Sequence, residues 1–163
     1  MNTIVAKSPR QFSSEEIDDF VSFVLAGGEV TAAGLRDHAM KAECIAFLRN
    51  ANCLVGVAGL KLPRSTYRAR VQTSSRFLIS EEAFPFELGW VFILPSMRGS
   101  KLSLPLCQPV VAAAGSSGVF ATSRAKNIGM HTTLKNLGFE QVGTEWRSRQ
   151  TRENLMLFVR DAV

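Results

Sequence analysis

The sequence predicts an α/β fold, a mixed sheet with helices on both faces. Three observations lead there. Apolar residues recur at helical spacing after Ser13 and again after Asn127. Short runs rich in branched and aromatic residues, above all Glu87–Leu94, alternate with those helices. The chain of 163 residues suffices for one domain, 1–163, and falls short of two independent cores.

Taken in order, the first residues form a strand or an arm. Ser13 then caps a helix, because Glu16 stands three residues on and reaches back. Ile17, Phe20, Val21, Val24 and Leu25 make its inner face, and Gly27-Gly28 ends it. A second, shorter helix runs from Thr31 to about Lys41, with Leu35 and Met40 inward. Cys44–Arg49 and Asn52–Leu62 pair as an antiparallel hairpin about the Asn50-Ala51-Asn52 turn. Arg64–Ala83 is polar and basic and holds the only tyrosine, Tyr67, so it is expected as a loop with a short strand at Phe77–Ser80. Pro95 stops the strand Glu87–Leu94, and a turn over Met97–Lys101 leads into the apolar stretch Leu102–Ala114. Pro105 and Pro109 should kink the helix made there or delay its start. Val119–Thr122 is a short buried strand. Asn127–Leu137 is an amphipathic helix with Met130, Leu134 and Leu137 inward and Gly138 as its cap. Phe139–Arg147 and Asn154–Arg160 form a final antiparallel pair.

The net charge of +5 and a pI near 9.5 favour an anionic partner, nucleic acid or a phosphorylated small molecule. The basic residues are scattered over Arg64–Arg76, Arg98–Lys101, Arg124–Lys126 and Arg147–Arg152, with none of the interleaved aromatics of a single-strand binder, which argues against nucleic acid. No apolar run is long enough to cross a bilayer, and the N-terminus lacks the apolar core of a secretory signal, so the expectation is a cytoplasmic protein. Cys44, Cys53 and Cys107 are odd in number and lack zinc-site spacing. Cys44 and Cys53 lie in strand-like segments, where Cys acts as a small buried hydrophobe. With His38 and His131 the only histidines, no metal site is expected.

Chemistry concentrates where Glu87–Leu94 runs into Pro95-Ser96-Met97-Arg98-Gly99-Ser100-Lys101-Leu102-Ser103. A turn that opens a helix presents main-chain N–H groups with no intrahelical partner, and the helix dipole adds partial positive charge. With Arg98 and Lys101 beside it, such a turn suits a pyrophosphate.

Here the chain resembles the GNAT superfamily of N-acetyltransferases. In that family the fourth strand ends in V-x-P-x-x-R-G-x-G-x-G, whose amides bind the coenzyme A pyrophosphate. Ile93–Ser103 follows that frame, with Arg98 and Gly99 matching and Lys101 and Ser103 standing for the two later glycines. Val119-Phe120-Ala121-Thr122, then Asn127, then Leu134, Leu137, Gly138 and Phe139 resemble the strand and helix that follow. The resemblance implies a mostly antiparallel sheet, with acetyl-coenzyme A as co-substrate and no metal. It implies cofactor contacts at Val91, Ile93, Arg98, Gly99, Ser100, Lys101, Leu102, Ser103 and Asn127. Glu87, six residues before Ile93, matches the base that takes the amine proton. Its aromatic neighbours Phe84, Phe86, Trp90 and Phe92 supply the desolvation that favours proton uptake. Leu134 occupies the place of the family's acid tyrosine, and His131, one turn earlier, is the candidate donor instead. The implied reaction is direct acetyl transfer to a primary amine of a small-molecule or protein acceptor. The alternative is a GNAT-like module that binds coenzyme A or a nucleotide without turnover. A homodimer is compatible with either.

Overall fold

The computed structural model describes Met1–Val163. Seven strands alternate with five helices in the order β1 (Asn2–Lys7), α1 (Ser14–Ala26), α2 (Leu35–Met40), β2 (Cys44–Asn50), β3 (Cys53–Lys61), α3 (Ser65–Ser75), β4 (Phe86–Ile93), α4 (Ser103–Ala112), β5 (Val119–Arg124), α5 (Ile128–Asn136), β6 (Glu140–Arg147) and β7 (Asn154–Arg160). The strand order in the sheet is β1-β2-β3-β4-β5-β7-β6. β1 with β2, β2 with β3, β5 with β7 and β6 with β7 pair antiparallel, and β4 with β5 pairs parallel. The expected mixed, mostly antiparallel α/β sheet is what the chain forms. No helix is long and apolar enough to cross a membrane.

The chain divides into two compact units, Met1–Leu62 with Leu88–Ala113, and Pro63–Glu87 with Ala114–Val163. In the first, the capping box at α1 is complete: Glu16 N donates to Ser13 Oγ at 3.1 Å and Ser13 N donates to Glu16 Oε1 at 3.0 Å. Ile17, Phe20 and Val24 of α1 and Leu35 and Ala39 of α2 close over Ile45, Phe47 and Val57. Alternation sends Ala46 and Leu48 to the opposite face, where they are fully buried too, and the α4 residues Leu106, Cys107 and Val110 are equally inaccessible. The first unit therefore carries helices on both faces. The β2–β3 turn places Ala51 and Asn52 at φ of 49° and 69°, as a two-residue hairpin turn requires. The helix expected over Thr31–Lys41 is limited to Leu35–Met40, because Gly34 at φ 70° breaks the backbone ahead of it.

Two further expectations are corrected. Cys44 and Cys107 are buried, and desolvation pushes their thiols up to about 11 and about 12, but Cys53 is exposed because it opens β3 beside the turn. In native protein only one of the three thiols is therefore expected to react quickly with a thiol reagent, the other two only after denaturation. Fast labelling of all three would contradict the burial. Secondly, α4 starts at Ser103 without delay. Pro105 falls in its first turn, where an amide has no intrahelical partner to lose, and only Pro109 lies inside the helix.

The second unit corrects the expected loop over Arg64–Ala83, since Ser65–Ser75 is the helix α3 and Phe77–Ser80 is not a strand. Its buried residues are Arg68, Val71 and Ser75, so two of the three inward positions are polar and the apolar periodicity that marks a helix is missing. Arg68 compensates its burial by donating from Nη1 to the carbonyls of Ile79 at 2.7 Å and Phe84 at 2.8 Å. Its guanidinium also stands over the Phe120 ring, 5.5 Å from the centroid. Val71, Ile79, Phe84, Phe120, Leu157 and Val159 make the core on this face. At the helix end, Ser75 O accepts from Thr144 Oγ1 at 3.3 Å. The register of β6 breaks between Val142 and Trp146, where Gly143 has φ 68° and a Cβ would stand 2.4 Å from Ser75 O. α5 covers the other face, with Leu134 fully buried and His131 against the Phe158 ring at 5.0 Å. Asn127 caps α5 by accepting from Met130 N at 3.1 Å. Gly138, at φ 90°, ends it as Phe139 N donates to Leu134 O at 2.9 Å.

Candidate active site

β4 is the strand on which the candidate residues are ordered. Its irregularity lies at Trp90, a non-glycine residue held at φ 55°, where an extended strand would be negative. Packing holds it there. The indole meets Phe20 edge-on at 5.7 Å and His38 edge-on at 5.1 Å, and Lys61 Nζ stands 4.9 Å from its ring centroid. Gly59 makes the room, since a Cβ there would come within 2.7 Å of the Trp90 ring. Past this kink, Val91 and Ile93 are half-buried, and Leu94 N donates to Val55 O at 2.8 Å.

The turn after β4 begins with one tight turn over Pro95–Met97. Gly99 follows at φ 85° and Lys101 at φ 56°. Lys101 thus adopts the conformation that a glycine would take, at a cost of about 1–2 kcal/mol for a residue with a Cβ. Leu102 is the N-cap of α4 and provides no side-chain hydrogen bond to it. The turn therefore holds two positions at positive φ directly ahead of α4, although only Gly99 of the two is a glycine. Arg98 is folded back: its Nε donates to Ile93 O at 2.9 Å and its guanidinium lies 5.4 Å from the Phe92 ring centroid. Val91, Ile93 and Arg98–Ser103 are thus contiguous within the first unit.

Glu87, Asn127 and His131 belong to the second unit. Glu87 is 2% exposed and sits opposite Phe120 in the parallel ladder, which is confined to Phe86↔Val119 and Glu87↔Phe120. Its Oε2 accepts from the Tyr67 hydroxyl at 2.7 Å, and that hydroxyl lies 3.3 Å from Thr122 Oγ1. Desolvation first, then the Glu87 charge, raises the Tyr67 phenol well above the ordinary tyrosine range. His131 Nε2 stands 2.9 Å from Arg124 O; a carbonyl only accepts, so that nitrogen carries the proton. Asn127 is exposed at the N-cap of α5, and Leu134 is buried in the core. Tyr67 is the residue that sequence reasoning missed at this site. The signal for it was only that it is the sole tyrosine, in a segment read as a loop. No group of three or more His, Cys, Asp or Glu side chains comes together.

No protein-family profile matches the chain. No curated protein matches it in sequence. Solved structures do match in fold. ElaA of Escherichia coli superposes with a TM-score of 0.71 at 12% identity, covering 98% of this chain and 99% of that one. The ribosomal-protein-S18-alanine N-acetyltransferase of Escherichia coli gives 0.67 at 13% identity, over 99% and 94%. A GNAT-family acetyltransferase from Streptococcus agalactiae gives 0.69 at 12% identity, over 98% and 96%. Nearly the full length of each of these structures is matched, at an identity too low to carry residue roles. The chain has the fold of the GNAT N-acetyltransferases.

Proposed function

We propose that this protein transfers an acetyl group from acetyl-coenzyme A to a primary amine by direct attack. The observation that carries the reading is the turn between β4 and α4. Gly99 and Lys101 both hold positive φ there, ahead of a helix with no side-chain cap, although only one of them is a glycine. In this reading the Gly99–Ser103 amides, with the Arg98 and Lys101 charges, hold the diphosphate. The β4 backbone at Val91 and Ile93 orients the pantetheine arm, and Asn127 is the polar residue that the family resemblance assigns to it. The thioester supplies an activated acetyl group. Glu87 takes the proton from the acceptor ammonium, which an amine must lose before it attacks. Its burial excludes competing water. His131 is the candidate donor for the departing thiolate; its Nε2 proton is bonded to the Arg124 carbonyl, so the proton it gives is a second one carried on Nδ1. The basic segments suit an acceptor that is acidic or phosphorylated.

Titration calorimetry with acetyl-coenzyme A, followed by thiol release over an amine panel, tests this. Heat with thiol release supports the enzyme, and heat without release supports a module that binds only. No heat with any acyl thioester removes both. Lys101→Gly separates shape from charge at the turn. It is expected to keep binding within about tenfold, because the backbone conformation costs a glycine nothing. A complete loss of binding would mean that the ammonium, and not the main chain, holds the ligand.

A further inference from the structure

The Tyr67–Glu87 contact has features that a packing contact does not require. The phenol has one proton, and at 2.7 Å it is committed to Glu87 Oε2. The 3.3 Å contact with Thr122 must therefore run the other way, with the threonine donating to the phenol oxygen. The result is a directed chain, Thr122 to Tyr67 to Glu87, that ends on a carboxylate 2% exposed. Each member is anchored by a different element. Glu87 is paired opposite Phe120, Thr122 opposite Leu157, and Tyr67 stands in the first turn of α3. That helix is clamped by Arg68 on the Ile79 and Phe84 carbonyls and by Ser75 O on Thr144. The Arg70 guanidinium, one turn on, covers the Tyr67 ring at 5.6 Å.

We infer that Tyr67 is a positioning residue for Glu87, fixing one carboxylate oxygen through its phenol and tying that oxygen to β5 through Thr122. The inference rests on the reading of Glu87 as the base. A buried carboxylate is costly to keep charged, and a donor aimed at the charged form offsets that cost. It also removes the rotational freedom that would otherwise be lost when the amine arrives. The bond changes are simple. The proton leaves the acceptor nitrogen and joins the Glu87 carboxylate, whose Oε2 goes on accepting from the Tyr67 hydroxyl, and no heavy atom moves. Release to solvent restores the starting chain.

The composition offers a direct test, because Tyr67 is the only tyrosine in the chain. Tyrosinate absorbance near 295 nm, followed with circular dichroism as a check on folding, therefore reports this phenol alone. The charged and titratable groups that bear on it are Glu87, which raises it, and Arg70, which lowers it. Wild type is expected to keep the phenol protonated well beyond the ordinary tyrosine range. In Glu87→Gln the folded protein should ionise it at a clearly lower pH. Tyr67→Phe, which keeps the ring, is expected to lower kcat about tenfold with KM for acetyl-coenzyme A unchanged. Coincident titration curves for wild type and Glu87→Gln would show that the pair is not formed in solution and overturn the inference. A shifted curve with Tyr67→Phe at wild-type kcat would overturn the positioning role. A chain that releases no thiol, yet whose tyrosine responds to Glu87→Gln, sinks the acetyltransferase reading and leaves the pair standing.

Discussion

Glu87→Gln is expected to lower the turnover of amine acetylation by about 10²–10⁴-fold, the usual contribution of a general base, while acetyl-coenzyme A binds with unchanged heat. The substitution is nearly isosteric and keeps an oxygen for the Tyr67 hydroxyl to donate to, so the fold should tolerate it. What it removes is a group able to hold the ammonium proton. The residual rate should rise with pH, as the acceptor amine loses its proton to solvent without help, and the gap to wild type should narrow under alkaline conditions. A rate within about threefold of wild type across the amine panel would remove Glu87 as the base. The buried carboxylate would then be a structural partner of Tyr67 and nothing more.

Arg68→Met is expected to have the largest effect on stability. The side chain is 8% exposed and donates to the Ile79 and Phe84 carbonyls, with a longer contact from Nη2 to Pro85 O at 3.5 Å. Methionine fills much of the volume but leaves those carbonyls buried without their donor, at about 1–3 kcal/mol each. A loss of about 3 kcal/mol or more follows, which for a chain of this size is a fall in Tm of about 6–12 °C. Arg68→Lys should lie between, because one ammonium on a flexible stem cannot reproduce the guanidinium fork. A change of less than about 2 °C for Arg68→Met would mean that water satisfies the carbonyls. The segment from Phe77 to Pro85 would then be held by the burial of Ile79 and Phe84 and by Gln72 Oε1, which accepts from Ile79 N at 2.9 Å.

Why Arg68 and Tyr67 escaped a reading of the sequence follows from their chemistry. Helices are recognised by an apolar stripe, and the inward positions of α3 are Arg68, Val71 and Ser75. Besides Val71, such a helix is held by the loop after it, whose carbonyls accept from the guanidinium, and by β6, whose Thr144 donates to its end. Both partners are remote in sequence. The exposure of Cys53 is a similar case, since a cysteine at the first residue of a strand looks the same in the sequence whether the turn beside it covers it or not. The conformation of Lys101 at φ 56° is another, because nothing local distinguishes a lysine forced into a glycine's place from one on an ordinary turn.

Local signals, where they were strong, survived intact. The Ser13–Glu16 box, the Asn50-Ala51-Asn52 turn and the Gly138 termination all rest on bonds within six residues of one another, and all are formed. So is the run from β4 through the turn into α4, which is where the family resemblance lay. The amino-acid sequence by itself thus determined the order of strands and most helices, the α/β class and the run of β4 through a turn into α4, because each depends on periodicity or on contacts between near neighbours. Only the tertiary structure decided that α3 exists, that the sole tyrosine bonds to Glu87, and that Trp90 kinks β4. Those outcomes depend on desolvation and on partners brought together from distant parts of the chain.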